Sequence, residues 1–355
     1  MKFFLLLAVY ISMELPAQTK QAAYKHTFPP TEQVAVDFRN LLKRPSVDFR
    51  PSFRSIITDS VLIEKGSIYT EKTEQVPVLI YKPAKTGKTT FPVVICLHGT
   101  GGSKDDESIQ MLLSGLARMG IMGVAIDARY HGERVPGGAN KSTQYVDAIT
   151  KAWENKDPLQ QQHPFYFDTV WDLWRLTDYL ATRADVQPDR IGMMGISMGG
   201  IETWMAASVD KRIKVAVPVI AAQSFQWSLE NNQWQGRAAT IWKAHLQAAQ
   251  DLGDTTVSKQ NVARLWAKLL PGITAAFDCP SMIRLFAPRP LLLLSNEKDQ
   301  NCPLPGAEIV FKSASDAYRL KNASDRLQTN VTPNEPHRFL PQHATMALAW
   351  FKKWL

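Results

Sequence analysis

Apolar runs and helical periodicities alternate along most of the chain. Val76 to Tyr81 reads as a strand, closed by Pro83 and a polar turn over Lys85–Thr90. Phe91 to Leu97 is a continuous apolar run, the pattern of a strand buried on both faces of a parallel sheet. The Gly-rich stretch His98 to Ser103 follows, and then Ile109, Leu112, Leu113 and Leu116 at helical spacing. Met122 to Ile126 predicts the next strand, and Val170, Leu173, Trp174, Thr177 and Leu180 mark one face of a long helix. Arg190 to Gly195 predicts a strand with a helix directly behind it. Val215 to Ile220 and Pro290 to Leu294 predict two more strands, followed by a helix from Pro305 to about Tyr318. Leu327 to Val331 predicts a last strand, and about His343 to Trp354 a closing helix. Repeated βα units of this kind imply an α/β fold with a mainly parallel sheet flanked by helices.

Two stretches interrupt that rhythm. Residues 130–165 carry Gly137-Gly138 and many polar positions, and read as a long surface loop. Residues 222–289 are helical in character and hold Trp227, Trp234, Trp242 and Trp266. An insertion of that length between two sheet strands predicts a helical lid, because long insertions in compact domains are commonly functional. Its Trp residues, with Arg237, Lys243 and Gln235 as polar handles, make Trp227 and Trp234 the candidate substrate contacts; lid core is the rival reading of the same rings. Residues 18–55 read as an N-terminal arm with a short helix near Val34 to Leu42, and 56–355 as the main domain. Lys2, the apolar run Phe3 to Ile11, and Pro16-Ala17 match a secretory signal peptide over residues 1–17, which predicts an exported, periplasmic or extracellular protein. That run is shorter than the about 18 apolar residues a membrane span needs, so no stable membrane anchor is expected.

Composition narrows the picture further. The chain has 355 residues, 45% hydrophobic and 21% charged, which is globular rather than disordered. Its 41 Lys+Arg against 33 Asp+Glu give a charge of +8, but the basic residues are scattered, so nucleic acid is not an expected partner. Of three cysteines, Cys96 lies inside an apolar strand, while Cys279 and Cys302 could pair in an oxidising compartment. No spacing resembles a metal site, and no metal or cofactor is expected.

The strongest chemical signal is Gly195-Ile-Ser197-Met-Gly199-Gly200, between a strand and a helix. G-x-S-x-G puts a serine on a sharp turn, where small neighbours allow tight folding and the helix N-terminus aims free N–H groups at the hydroxyl. Such a serine needs a base, and the base an orienting carboxylate. Asp299 follows the strand 290–294, with Glu297 as competitor. His337 follows the last predicted strand, with His343 as competitor, although His343 would begin the closing helix. A developing oxyanion needs fixed donors: Met198, the residue after the serine, and Thr100 in His98-Gly-Thr-Gly-Gly102, with Gly101 next. That glycine loop fits neither phosphate-binding pattern, since Lys104 stands where the third Rossmann glycine would fall and is followed by Asp105.

Together HGTGG, Asp127-Ala-Arg-Tyr-His-Gly132, GISMGG, NEKDQNCP and PHRF resemble the α/β-hydrolase superfamily, nearest its dienelactone-hydrolase, acetylxylan-esterase and prolyl-oligopeptidase-like branches, over roughly residues 60–355. The resemblance implies Ser197, Asp299 and His337 as a catalytic triad, Thr100 and Met198 as oxyanion donors, and a bracing role for Asp127, Arg129 and His131. Serine rather than cysteine at the elbow departs from true dienelactone hydrolases, and no β-propeller precedes the domain. The expected function is a secreted serine hydrolase of carboxylic esters, acting on a small-molecule or carbohydrate ester through an acyl-enzyme. A secreted peptidase with the same triad, and an inactive binding protein of the same fold, are the alternatives.

Overall fold

The computed structural model describes residues 28–57, 61–84, 87–137 and 142–355. The expected signal peptide and the start of the arm lie outside the described residues. Chain order runs through α1 (Thr31–Leu42), β1 (Ser52–Ile57), β2 (Val61–Tyr69), β3 (Gln75–Pro83), β4 (Phe91–Leu97), α2 (Glu107–Arg118) and β5 (Met122–Ile126). It continues with α3 (Thr143–Glu154), α4 (Phe167–Thr182), β6 (Val186–Ile196), α5 (Met198–Val209) and β7 (Ile213–Val219). The segment between β7 and the next strand carries α6 (Phe225–Glu230), α7 (Gln235–Ala239), α8 (Trp242–Asp251), α9 (Lys259–Leu269) and α10 (Cys279–Met282). The chain closes with β8 (Leu291–Asn296), α11 (Leu304–Leu320), β9 (Leu327–Thr332) and α12 (Pro341–Trp354).

The strands form one nine-stranded sheet in the order β1-β2-β3-β5-β4-β6-β7-β8-β9. From β5 to β9 every pairing is parallel, and β1, β2 and β3 extend that sheet antiparallel at one side. All seven residues of β4 are buried, as its unbroken apolar run requires of a strand covered on both faces. One face meets α2 and α12 through Leu112, Leu116, Ala347 and Phe351. The other meets α1, α4 and α5 through Phe38, Leu173 and Ile201, continuous with the apolar side of the inserted helices.

Three expectations change. The arm is not separate from the domain: the boundary at residue 55 falls inside β1, which pairs with β2 from Ser52 onward, and Phe38 of α1 packs edge-on against Phe167, with ring centroids 5.3 Å apart. Residues 130–165 are not one long loop, because Thr143–Glu154 forms α3 with Tyr145, Ile149 and Ala152 buried at helical spacing. Cys279 and Cys302 are both buried free thiols, so the pairing that their export would allow is not made. No helix among the described residues is long and apolar enough to cross a membrane.

Candidate active site

Ser197 occupies the junction of β6 and α5, and its backbone has φ 54° and ψ −110°, a region that costs a non-glycine residue on the order of 1–3 kcal/mol. Close packing enforces the turn. A Cβ on Gly195 would come within 2.2 Å of the Gly199 carbonyl carbon, and one on Gly199 within 2.6 Å of Leu97 Cβ. The Ser197 N–H donates to the Val219 carbonyl at 2.9 Å, which ties the elbow to the end of β7.

Ser197 Oγ lies 2.7 Å from His337 Nε2, and His337 Nδ1 lies 2.7 Å from Asp299 Oδ2. The loops after β8 and β9 therefore converge on the elbow from the carboxyl ends of neighbouring parallel strands. Asp299 is locked by its own turn, its Oδ1 accepting the N–H groups of Asn301 and Cys302, each at 2.8 Å. Its side chain is 1% exposed, against 19% for His337, so the series runs from a dry carboxylate to an imidazole that solvent reaches. Asn296 Nδ2 holds the histidine loop by donating to the carbonyls of Pro336 at 2.6 Å and Arg338 at 2.9 Å.

The two competitors sit elsewhere. Glu297 accepts the Asn334 N–H at 2.6 Å at the surface. His343 is buried in the first turn of α12, where its Nδ1 accepts the Leu340 N–H at 3.3 Å and its Nε2 is 3.2 Å from the Thr332 hydroxyl.

The glycine loop closes against the elbow. Gly102 donates to the Gly99 carbonyl at 3.1 Å, and Gly101 takes a φ of 79°, so the N–H groups of Thr100 and Gly101 stay outside that turn's own hydrogen bond. A Cβ on Gly99 would be 3.7 Å from Ser197 Cβ. Met198 opens α5, where a first-turn N–H has no partner within the helix. His98 fixes the loop: its Nε2 accepts the Ala128 N–H at 3.1 Å, which leaves Nδ1–H to donate to the Gly99 carbonyl at 2.8 Å. Burial lowers its pKa, which suits that neutral tautomer.

Behind the loop, Asp127 accepts the Lys104 N–H at 2.8 Å, its ammonium at 3.0 Å and the Glu133 N–H at 2.9 Å. Arg129 pairs with Asp172 at 2.7 Å and with Glu71. His131 packs its ring 5.1 Å from that of His98, and burial with this neighbour pushes its pKa down to about 3. Sequence reasoning gave Lys104 only a negative part, as the residue that breaks a phosphate loop. It is a buried ammonium shared by Asp105, Asp127 and Glu133.

Of the candidate lid contacts, Trp234 is buried among the apolar side chains of the insertion, its indole N–H donating to Asn232 at 3.0 Å. Trp227 lies against Gly306 of α11 and lines a groove of about 1480 Å³ between α1 and α11; no member of the Ser197–His337–Asp299 series lines that groove. Lys243 pairs with Asp147 of α3 at 2.7 Å. Arg237 is not a surface handle; it is 1% exposed and packed against the turn of Asp299. Asp299, Cys302 and His337 present ligand atoms within 4.8 Å of one another. Those atoms are already engaged, the imidazole by the carboxylate and the thiol by the Arg237 guanidinium, whose positive charge opposes a metal ion there.

A hydroxyl hydrogen-bonded to an imidazole, itself anchored by a dry carboxylate, beside the N–H groups of the glycine loop and of the first turn of α5, can attack a carbonyl and hold the charge that forms on its oxygen. A family model described as acetyl xylan esterase matches residues 65–226. By sequence the chain is 26% identical over 289 residues to a Bacillus subtilis (strain 168) protein named "Putative hydrolase YtaP", covering 75% of this chain and 83% of that one. It superposes on acetyl xylan esterase 1 from a Thermoanaerobacterium species with a TM-score of 0.66 at 15% identity, covering 92% of this chain and 99% of the other. The methylesterase BT1017 gives a TM-score of 0.66 at 20% identity and covers 91% of this chain; the chain spans 63% of that protein's length.

Proposed function

We propose that this chain, which has the fold of the α/β-hydrolase esterases, is a carboxylic-ester hydrolase that removes acyl groups, acetyl first among them, from carbohydrate esters through a covalent acyl-serine. The observation that carries this reading is the hydrogen-bonded series Ser197–His337–Asp299, with 2.7 Å at each step, on a strained strand-to-helix turn.

His337 Nε2 takes the proton of Ser197 as Oγ attacks the ester carbonyl, and Asp299 holds the imidazole with Nδ1–H toward itself, opposing its loss of orientation as it becomes charged. The N–H groups of Met198 and Thr100, with Gly101 as the second candidate in the loop, receive the oxyanion. The tetrahedral adduct collapses as His337 returns its proton to the leaving alcohol. Water then enters by the same route, gives its proton to His337, and releases the acid with Ser197 restored. The acyl and sugar preference is supported by the acetyl xylan esterase model and by neighbours of that name. Export is part of the proposal, resting on Lys2 and the apolar run Phe3 to Ile11 before Pro16-Ala17.

The test is a substrate panel on the purified chain and Ser197→Ala. Acetylated xylo-oligosaccharides and a small acetyl ester should be turned over, an aminoacyl amide should not, and the variant should lose ester turnover by on the order of a million-fold. Preference for the amide would replace the esterase with a peptidase.

A further inference from the structure

Arg237 is out of place for an inserted helix. It lies on α7, is 1% exposed, and makes no ion pair with a carboxylate among the described residues within salt-bridge distance. Burying a guanidinium without a direct counter-ion costs several kcal/mol, so its surroundings must return that energy. They do so through the turn after β8. Nη2 donates to the Asn301 carbonyl at 3.2 Å and to Cys302 Sγ at 3.0 Å. Asn301 and Cys302 are the residues whose N–H groups grip Asp299 Oδ1. The turn thus offers its N–H groups to the carboxylate on one side and its carbonyl and sulfur to the guanidinium on the other.

Two contacts fix this arrangement, one seating α7 on the turn and one tying the turn to the sheet. Gly236 lies so close over the turn that a Cβ there would come within 2.1 Å of the Gln300 carbonyl oxygen, so only glycine admits this approach. Cys302 donates its S–H to the Ile220 carbonyl at 3.3 Å, joining the same turn to the end of β7. Burial keeps that thiol protonated, which leaves its sulfur lone pair for Arg237. Burial opposes the charge on Arg237 while Tyr166, Cys302 and Asp299 favour it, and its pKa stays raised.

We infer that Arg237, delivered by the inserted helices, is a positioning residue for the acid of the proposed triad: it clamps the Asp299 turn and sets the field in which His337 gains its proton. The inference rests on the esterase reading above. The inserted segment is then a structural partner of the chemistry and not solely a cover for substrate.

The consequence is electrostatic as well as mechanical. A buried positive charge beside Asp299 disfavours a second positive charge on the imidazole, so removing it makes His337 easier to protonate. Among the described residues, Asp299 and Cys302 on the β8 turn face this imidazole, Glu335 and Arg338 lie on its own loop, paired with each other at 2.7 Å at the surface, and Tyr166 before α4 neighbours Arg237. Replacing Arg237 changes the charge of none of these.

The experiment compares kcat/KM against pH for a small acetyl ester in the full chain, Arg237→Met, Arg237→Lys and Ser197→Ala, with a thermal melt of each. Arg237→Met should lower kcat at least 10-fold with KM little changed, and move the acid limb of the profile to higher pH by on the order of one unit. Arg237→Lys keeps the charge and loses the fork, so its acid limb should stay in place while kcat recovers only in part. If Arg237→Met does not fold, Gly236→Ala, which pushes α7 away from Gln300, should move the limb in the same direction by less. An unmoved limb in a folded Arg237→Met, or in Gly236→Ala where that variant stands in, overturns the inference even where Ser197→Ala is inactive. A fully active Ser197→Ala would instead overturn the esterase mechanism.

Discussion

Ser197 and His337 stand 140 positions apart in sequence and 2.7 Å apart in space. What could be read beforehand was chemical type and loop position: a serine between small residues, an acid after one strand, a histidine after the next. What sequence left open was the choice within each pair, because Glu297 and His343 are of the same types a few positions away. Geometry separates them, since Glu297 is engaged by the Asn334 N–H and His343 caps α12. Asp299→Asn should therefore cost far more turnover than Glu297→Gln, because the amide no longer holds the base in its working tautomer. His337→Ala should be about as damaging as Ser197→Ala, whereas His343→Ala should leave kcat near normal and cost about 1–2 kcal/mol of stability through the lost cap and the lost Thr332 partner. Steady-state kinetics beside chemical denaturation check both pairs; a reversed ranking in either would move the acid or the base to another residue. Arg237 was legible only as a cation on an inserted segment. Nothing in its neighbours announces that it is fully buried, since that depends on a turn more than sixty residues later.

At the scale of elements, strands that are continuous apolar runs were readable, β3 on the antiparallel side among them, and the outer antiparallel strands β1 and β2 were not. β1 is almost wholly exposed and β2 mixes Glu64, Lys65 and Gly66 with its apolar residues, so neither carries a clean period. α3 was hidden by the glycine-rich and polar residues before it, although Tyr145, Ile149 and Ala152 do repeat at helical spacing. The insertion itself was visible as helical and Trp-rich, yet the job of each ring was not. Trp234→Ala should cost about 3 kcal/mol of stability and lower turnover of a bulky acetylated sugar and a small acetyl ester alike, because it removes part of the insertion's own core. Melts run beside the two assays check this; an unchanged melting temperature with loss confined to the bulky sugar would restore Trp234 as a substrate contact. Gly199→Ala tests the elbow in the same way. The added carbon would meet Leu97 Cβ at 2.6 Å and the His98 carbonyl at 2.7 Å, so the oxyanion loop or the helix must shift and kcat should fall steeply with stability.

Across the whole molecule, one charge network ties the amino-terminal segment to the sheet's carboxyl edge. Arg44, just beyond α1, pairs with Asp168 and Glu71; Arg129 pairs with Asp172 and Glu71; Arg134 pairs with Asp172 and Glu74, each at 2.7–2.8 Å in the last case. Burial alone would push the Asp172 carboxyl up, but Arg129 and Arg134 hold it well below the usual carboxylate range. A group whose folded pKa is depressed contributes stability above its unfolded value of about 3.9 and loses it as pH falls toward the folded one. The melting temperature should therefore drop steeply below about pH 4, and Asp172→Asn should be less stable at pH 7 by about 3 kcal/mol or more while losing less on acidification. A variant with the wild-type pH slope would remove Asp172 from the acid transition. The central claim, that this fold exists to hold Ser197 as an acyl-accepting nucleophile, is tested most directly by covalent capture. Incubating the protein with a fluorophosphonate probe and mapping the adduct by peptide mass spectrometry should place one phosphonyl group on Ser197, with labelling lost in Ser197→Ala, slowed strongly in His337→Ala, and suppressed by excess acetylated oligosaccharide. A folded protein whose Ser197 stays unlabelled while ester hydrolysis continues would contradict the account.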